Sequence, residues 1–171
     1  MMKPTLIFLL FLKILCSNQP SSTIPVSTYS IVAYDPKTGQ LGVAVQSHWF
    51  SVGFLVPWAK AGVGAVATQS FVKVEYGPDG LGLMEQGLTS DQALEALLKE
   101  DKAKDVRQVA MVDINGNVAV HTGTKCIYAA GHYVGINYSV QANMMEKKSV
   151  WSEMSHAYEN TAGDLADRMM A

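Results

Sequence analysis

A mixed α+β fold, antiparallel sheet covered by helices, is what this sequence predicts, and three observations predict it. Short apolar runs of strand length recur along the chain, joined into hairpins by turn residues. Helical stretches come in blocks between those hairpins and do not alternate with strands one for one. A chain of 171 residues is the size of one domain, long enough to bury a core.

The first stretch differs in kind from the rest. Met1-Met2-Lys3 carries a positive charge, and Thr5 to Cys16 is apolar apart from Lys13. That is the pattern of an export signal, too short for a membrane span, and it assigns 1–17 to a signal peptide. Leu15 stands where a lipoprotein signal needs a small residue before Cys16, so no lipid anchor is expected. Residues 18–27 read as a polar spacer or pro-segment, and the folded domain is expected over 28–171. Secretion or a periplasmic location follows, with no stable membrane span after signal removal. Only Cys126 then remains, so no internal disulfide forms, and it reads as a packed small residue.

Tyr29 to Tyr34 is a short apolar run that predicts a strand. Asp35-Pro36-Lys37-Thr38-Gly39 is turn chemistry, and Leu41 to Gln46 is the second strand of a hairpin. Both strands are apolar on both faces, which argues for a sheet covered on two sides. Gly62 to Thr68 is a third strand, after a loop that holds Pro57 and Trp58. Its glycines loosely fit a dinucleotide fingerprint, but they open a β-branched run and not a helix, so nucleotide binding is not expected.

Gly80 to Gln86 predicts a first helix, stopped by Gly87. Thr89-Ser90-Asp91-Gln92 is a capping box, followed by the apolar stripe Ala93, Leu94, Leu97 and Leu98. Val106 to Asp113 and Asn117 to His121 flank Asn115-Gly116, a strong hairpin signal. Tyr138 to Ala142 is a further strand and Val150 to Glu159 a helix. Thr161-Ala162-Gly163-Asp164 caps a last helical stretch, Leu165 to Met170.

Thirteen basic residues stand against fifteen acidic ones, which gives no electrostatic case for nucleic acid. The four histidines are scattered and no carboxylate pair has ligand spacing, so neither a metal nor a cofactor is expected. His132 and His156 read as surface or packing residues, and Asp35 and Asp113 as turn residues.

Several stretches resemble one family, the Ntn-hydrolase-like proteins called domain of unknown function 1028. They begin with Thr28 to Pro36 and Leu41 to Ser47, and continue through Val56 to Gln69. Tyr76-Gly77-Pro78, Arg107-Gln108-Val109, His121-Thr122-Gly123 and Gln141-Ala142-Asn143-Met144 complete the set, in order from Thr28 to the end. The resemblance implies a four-layer αββα sandwich of Ntn-hydrolase type. It also implies that a Gly-rich segment and a further strand follow the last helix. Neither is in this sequence, so the domain reads as truncated at its C-terminus.

The resemblance further implies a nucleophile. In such hydrolases the first residue of the mature chain attacks an amide carbonyl, and its own free α-amine takes the proton. Here that residue is Thr28, which requires removal of everything through Ser27. Signal peptidase wants small residues one and three before its cut; Ser27 suits the first and Pro25 is a poor third. Self-cleavage by the Thr28 hydroxyl at the Ser27 carbonyl is the other route.

Antiparallel pairing brings the far end of the second strand beside the head of the first. Ser47 could thus orient the amine and His48 relay a proton. Asn143, ending its strand, is a candidate oxyanion donor. Gln69 and His121 are candidates for substrate binding. The function expected is an exported amidohydrolase acting on a small amide or peptide-like bond. The alternative is a non-catalytic, envelope-associated binding module that retains the fold. The apolar loop with Phe50, Phe54, Leu55 and Trp58 is a candidate interface for a homo-oligomer.

Overall fold

Eight strands and four helices follow one another in a computed structural model that describes residues 26–171. The expected signal peptide over 1–17, Cys16 and residues 18–25 of the spacer lie outside the described residues. In chain order the elements are β1 (Thr28–Asp35), β2 (Gln40–Ser47), β3 (Pro57–Lys60), β4 (Gly64–Ser70), α1 (Tyr76–Glu85), α2 (Ser90–Glu100), β5 (Arg107–Asp113), β6 (Val118–Thr122), β7 (Gly131–Gly135), β8 (Tyr138–Asn143), α3 (Val150–Asn160) and α4 (Leu165–Met169).

The strands make two four-stranded sheets, in the orders β2-β1-β8-β7 and β3-β4-β5-β6. Every neighbouring pair is antiparallel. Alternation along the central strands explains the layering. Val32 of β1 packs with Ala65 and Ala67 of β4 and Ala110 and Val112 of β5, so these residues fill the space between the sheets. Ile31 and Ala33 point the other way and pack with Tyr158 of α3 and Leu165 of α4. Val66, Val109 and Met111 likewise face Leu81 of α1 and Leu94 of α2. Each sheet therefore carries a pair of helices on its outer face, and β1 is covered on both sides as its apolar sequence predicts. Its partner β2 is a sheet edge and stays largely half-exposed, against the same expectation.

The capping box predicted before α2 is present: the Thr89 hydroxyl accepts from the Gln92 amide and the Gln92 side chain from the Thr89 amide. Helix α1 starts four residues before the Gly80 expected. Pro78 falls in its first turn, where a missing N–H costs nothing. Gly77 is required there, because a Cβ would collide with the Trp58 ring.

Strands β3 and β7 were not expected. Strand β3 turns the supposed loop around Pro57 and Trp58 into a sheet edge, and Trp58 packs against the α1–α2 core with its ring N–H donated to the Leu55 carbonyl at 3.1 Å. Leu55 packs between the sheets. Of the loop expected to form an interface, Phe50 (96% exposed) and Phe54 remain in solvent, together with Trp49.

A largely buried ion pair ties the end of α2 to β5. Asp101, just after α2, accepts from Arg107 Nε at 2.9 Å, from the Tyr76 hydroxyl at 3.1 Å and from the Ala103 amide at 2.9 Å. Burial raises its pKa, but these three donors outweigh that and hold it below the ordinary carboxylate value. The native state thus takes up this proton less readily than the unfolded chain. Its stabilising contribution is complete above the unfolded pKa of about 3.9 and is lost as pH falls through the lower folded value. Asp101→Asn is expected to cost roughly 2 kcal/mol at pH 7 by urea unfolding, and much less at pH 3.

Candidate functional site

The inter-sheet layer is apolar at one end and polar at the other. Stepping along β1 from Val32 toward its head, the inward residues are Ser30 and Thr28; along β8 they are Ser139, Gln141 and Asn143. Opposite them, β4 and β5 contribute Gln69 and Gln108. All seven are buried. Polar side chains survive there only by bonding one another.

Thr28 heads β1, with Ser47 of β2 and Asn143 of β8 as its two register partners. Its hydroxyl lies 2.8 Å from the Ser47 hydroxyl, and Ser47 Oγ also accepts the Trp49 amide at 3.1 Å. Thr28 is 5% exposed. The expected neighbourhood of Thr28, Ser47 and Asn143 is therefore assembled by strand pairing alone.

Gln108 is the hub of the layer. Its Nε2 shares two hydrogens among three acceptors, the Thr122 hydroxyl at 2.9 Å and the Gly131 and Ala142 carbonyls at 3.1 and 3.0 Å. Its Oε1 accepts from Gln69 Nε2 at 2.7 Å and Asn143 Nδ2 at 2.9 Å. Beside this, Gln141 donates to Ser30 at 2.6 Å and accepts from Ser139 at 2.7 Å.

Several sequence expectations change in this setting. Asn143 spends one of its two amide hydrogens on Gln108 Oε1, and its Oδ1 has no partner among the described residues. His48 turns to the residue before Thr28: its Nδ1 lies 3.2 Å from the Ser27 carbonyl, which also accepts the His48 amide at 3.1 Å. The partner of the Thr28 hydroxyl is Ser47.

His121 is not brought to Thr28. It pairs in register with Val109, whose side chain faces the helices, so alternation puts His121 on the outer side of its sheet. There its Nε2 meets the Lys104 carbonyl at 2.8 Å. Its neighbour Thr122 faces inward instead and reaches His132, with Oγ1 2.9 Å from Nδ1. Thr122 Oγ1 also lies 2.9 Å from Gln108 Nε2, so the hydroxyl links His132 to Gln108. Desolvation of the ring, and then the nearby His121 charge, lower the His132 pKa. His132 is thus linked to the buried layer, beyond the surface role expected of it.

Asp113 receives the Asn115 and Asn117 amides and that of Ser90, a turn role as expected. Cys126 is half-buried and its thiol lies 3.2 Å from the Arg107 carbonyl. Among the described residues no group of three or more His, Cys, Asp or Glu could hold a metal ion. No helix among them is long and apolar enough to cross a membrane.

In structure the chain is similar to a crystal structure from Silicibacter pomeroyi, itself described by the model for DUF1028, with a TM-score of 0.81 and 26% identity. The likeness covers 84% of this chain and 64% of that one, so this chain spans less than two thirds of its length. No curated protein matches the chain. The model of a family of unknown function, DUF1028, matches residues 28–171. Because that match takes in every strand and helix described above, the chain belongs to the DUF1028 family.

Proposed function

We propose that this chain carries the nucleophile of an exported amidohydrolase, with the two helix-covered sheets forming a four-layer sandwich of Ntn-hydrolase type. The observation that carries the reading is the Thr28 hydroxyl, held by Ser47 Oγ at 2.8 Å at the polar end of the inter-sheet layer. Once the bond to Ser27 is cut, nucleophile and base sit on one residue. Thr28 Oγ1 attacks a substrate amide carbonyl while its proton passes to the α-amine. That proton leaves with the expelled substrate amine, and water hydrolyses the resulting ester to release the acid and restore Thr28. The substrate is a small amide or peptide-like molecule, and neither metal nor cofactor enters the reaction.

Intact mass and N-terminal sequencing of the protein recovered from medium or periplasm test this directly. A chain beginning at Thr28 is expected. A chain beginning within residues 17–22, with Thr28 inside an intact peptide, sinks the mechanism for that form.

One observation favours a second reading, the non-catalytic envelope-associated module. A cleft of about 510 Å³ lies between α3, α4 and the outer face of β1 and β2, lined by Tyr29, Ile31, Met154 and Met169. Its volume is in the range of small-molecule sites, and it lies across the sheet from Thr28. A ligand bound there with unchanged affinity in Thr28→Ala would favour this reading. The exposed Phe50 and Phe54 suit a homo-oligomer contact in either case.

A further inference from the structure

The side-chain orientation of Gln108 is dictated by its neighbours. Two of the atoms around its Nε2 are backbone carbonyls, of Gly131 and Ala142, which can only accept. Oε1 must therefore be the acceptor that Gln69 Nε2 and Asn143 Nδ2 face. Both amide nitrogens being turned toward Gln108, both amide oxygens are turned away. Among the described residues Gln69 Oε1 and Asn143 Oδ1 are buried acceptors without a partner, in residues that are 1% and 0% exposed. Buried polar atoms are ordinarily satisfied, so an acceptor fixed in this state calls for a donor.

Asn143 stands directly across from Thr28. On the same seam, the Tyr34 amide donates to the Asn137 carbonyl at 2.8 Å. Hydrogen-bonded pairs recur every second residue in an antiparallel ladder. The Thr28 nitrogen consequently faces β8 and Asn143, while the Thr28 hydroxyl faces β2 and Ser47. In an intact chain that nitrogen carries one hydrogen. As a terminal amine it carries two, and as an ammonium three.

We propose that Asn143, oriented by Gln108, is the positioning residue that receives the ammonium group of a Thr28 released from Ser27, with Gln69 Oε1 a second acceptor in the same layer. The inference rests on the reading of Thr28 as an N-terminal nucleophile. It assigns Asn143 a role opposite to oxyanion stabilisation. An acceptor at this place favours the charged over the neutral amine, and so favours transfer of the hydroxyl proton to nitrogen. It also keeps the nitrogen on one side of Thr28 while Ser47 keeps the oxygen on the other.

The test is the pH dependence of α-amine acylation. Full-length chain carrying a protease-removable leader before Thr28 is folded and then cut; every described strand and helix lies at or after Thr28. Acetylation of the Thr28 amine is followed by peptide mass spectrometry, and near-UV circular dichroism verifies that each variant is folded. The wild-type amine is expected to titrate above the ordinary terminal range of about 7.7–8.0. Asn143→Ala is expected to lower the midpoint by roughly half a unit, making labelling at pH 7.5 about threefold faster. Gln108→Ala, which frees the amide to rotate, should move it the same way.

Asn143→Asp replaces the acceptor by a carboxylate and should raise the midpoint, a change that loss of structure does not mimic. Equal midpoints in wild type and folded Asn143→Ala would overturn the inference, and so would an Asn143→Asp midpoint that does not rise. Acylation is read independently of hydrolysis. A protein that cleaves no amide but shows the shifts keeps the inference and loses the amidase reading; an active one without the shifts does the reverse.

Discussion

Gln108→Leu is expected to destabilise the fold by roughly 3–5 kcal/mol, measured by urea unfolding at pH 7. Leucine is close to glutamine in volume, so the loss comes from polar bookkeeping and not from a cavity. The substitution strips donors from the Gly131 and Ala142 carbonyls and from Thr122, and removes the acceptor of Gln69 and Asn143. Gln69 keeps a long bond to the Gln141 carbonyl at 3.3 Å, while the Asn143 nitrogen keeps no partner among the described residues. Each buried group left unpaired costs about 1–3 kcal/mol, and partial relaxation toward water at the Thr122–His132 edge limits the sum. Against a total stability of about 5–15 kcal/mol this is a large share. It corresponds to a fall in Tm of roughly 10 °C for a domain of this size. A cost below about 1 kcal/mol would mean that the five contacts do not act as drawn.

Why Gln108 escaped sequence reasoning is physical. It lies within Arg107-Gln108-Val109, ahead of the apolar middle of its strand, and nothing local marks it. Its importance comes from partners on β4, β6, β7 and β8, up to 39 positions away in sequence. Local signals did better where the chemistry is local. The Thr89–Gln92 capping box and the Asn115-Gly116 turn are both where the residues place them, with Gly116 at a φ of 79°. Ser47 beside Thr28 was legible too, because a hairpin with a short turn pairs its two ends.

Strand β7 was illegible for the opposite reason. Gly131-His132-Tyr133-Val134-Gly135 is flanked by glycines and has no apolar alternation, and as an edge strand it leaves its middle residues exposed. Strand β3 is four residues long and opens on Pro57, a residue that demotes a strand reading and is tolerated here at the first position of an edge strand. With both missed, His132 could not be placed next to Thr122. The turn of His121 away from Thr28 follows from a parity that only the observed register supplies.

Thr28→Ala is expected to abolish amide hydrolysis by the processed protein, by at least about a thousandfold, while costing roughly 1 kcal/mol of stability or less. The asymmetry is what makes it informative. Removing Oγ1 deletes the atom proposed to attack, and among the described residues no hydroxyl other than that of Ser47 bonds it. Structurally the loss is one hydrogen bond and one methyl at the head of a strand whose backbone pairs with β2 and β8 on either side. Thr28→Ser keeps the oxygen and should retain most of the rate. Ser47→Ala should lie between, near a tenfold loss, because it orients the hydroxyl without supplying it; Ser47 Oγ also holds the Trp49 amide, so part of its effect will be on the loop. The measurement is single-turnover acylation by an activated amide or ester, with urea unfolding of the same preparations. Equal rates for wild type and Thr28→Ala would remove Thr28 from the chemistry and leave the outer cleft as the place to look. A rate loss matched by a proportionate loss of stability would make Thr28 a structural residue. Only loss of rate at nearly constant stability identifies the nucleophile.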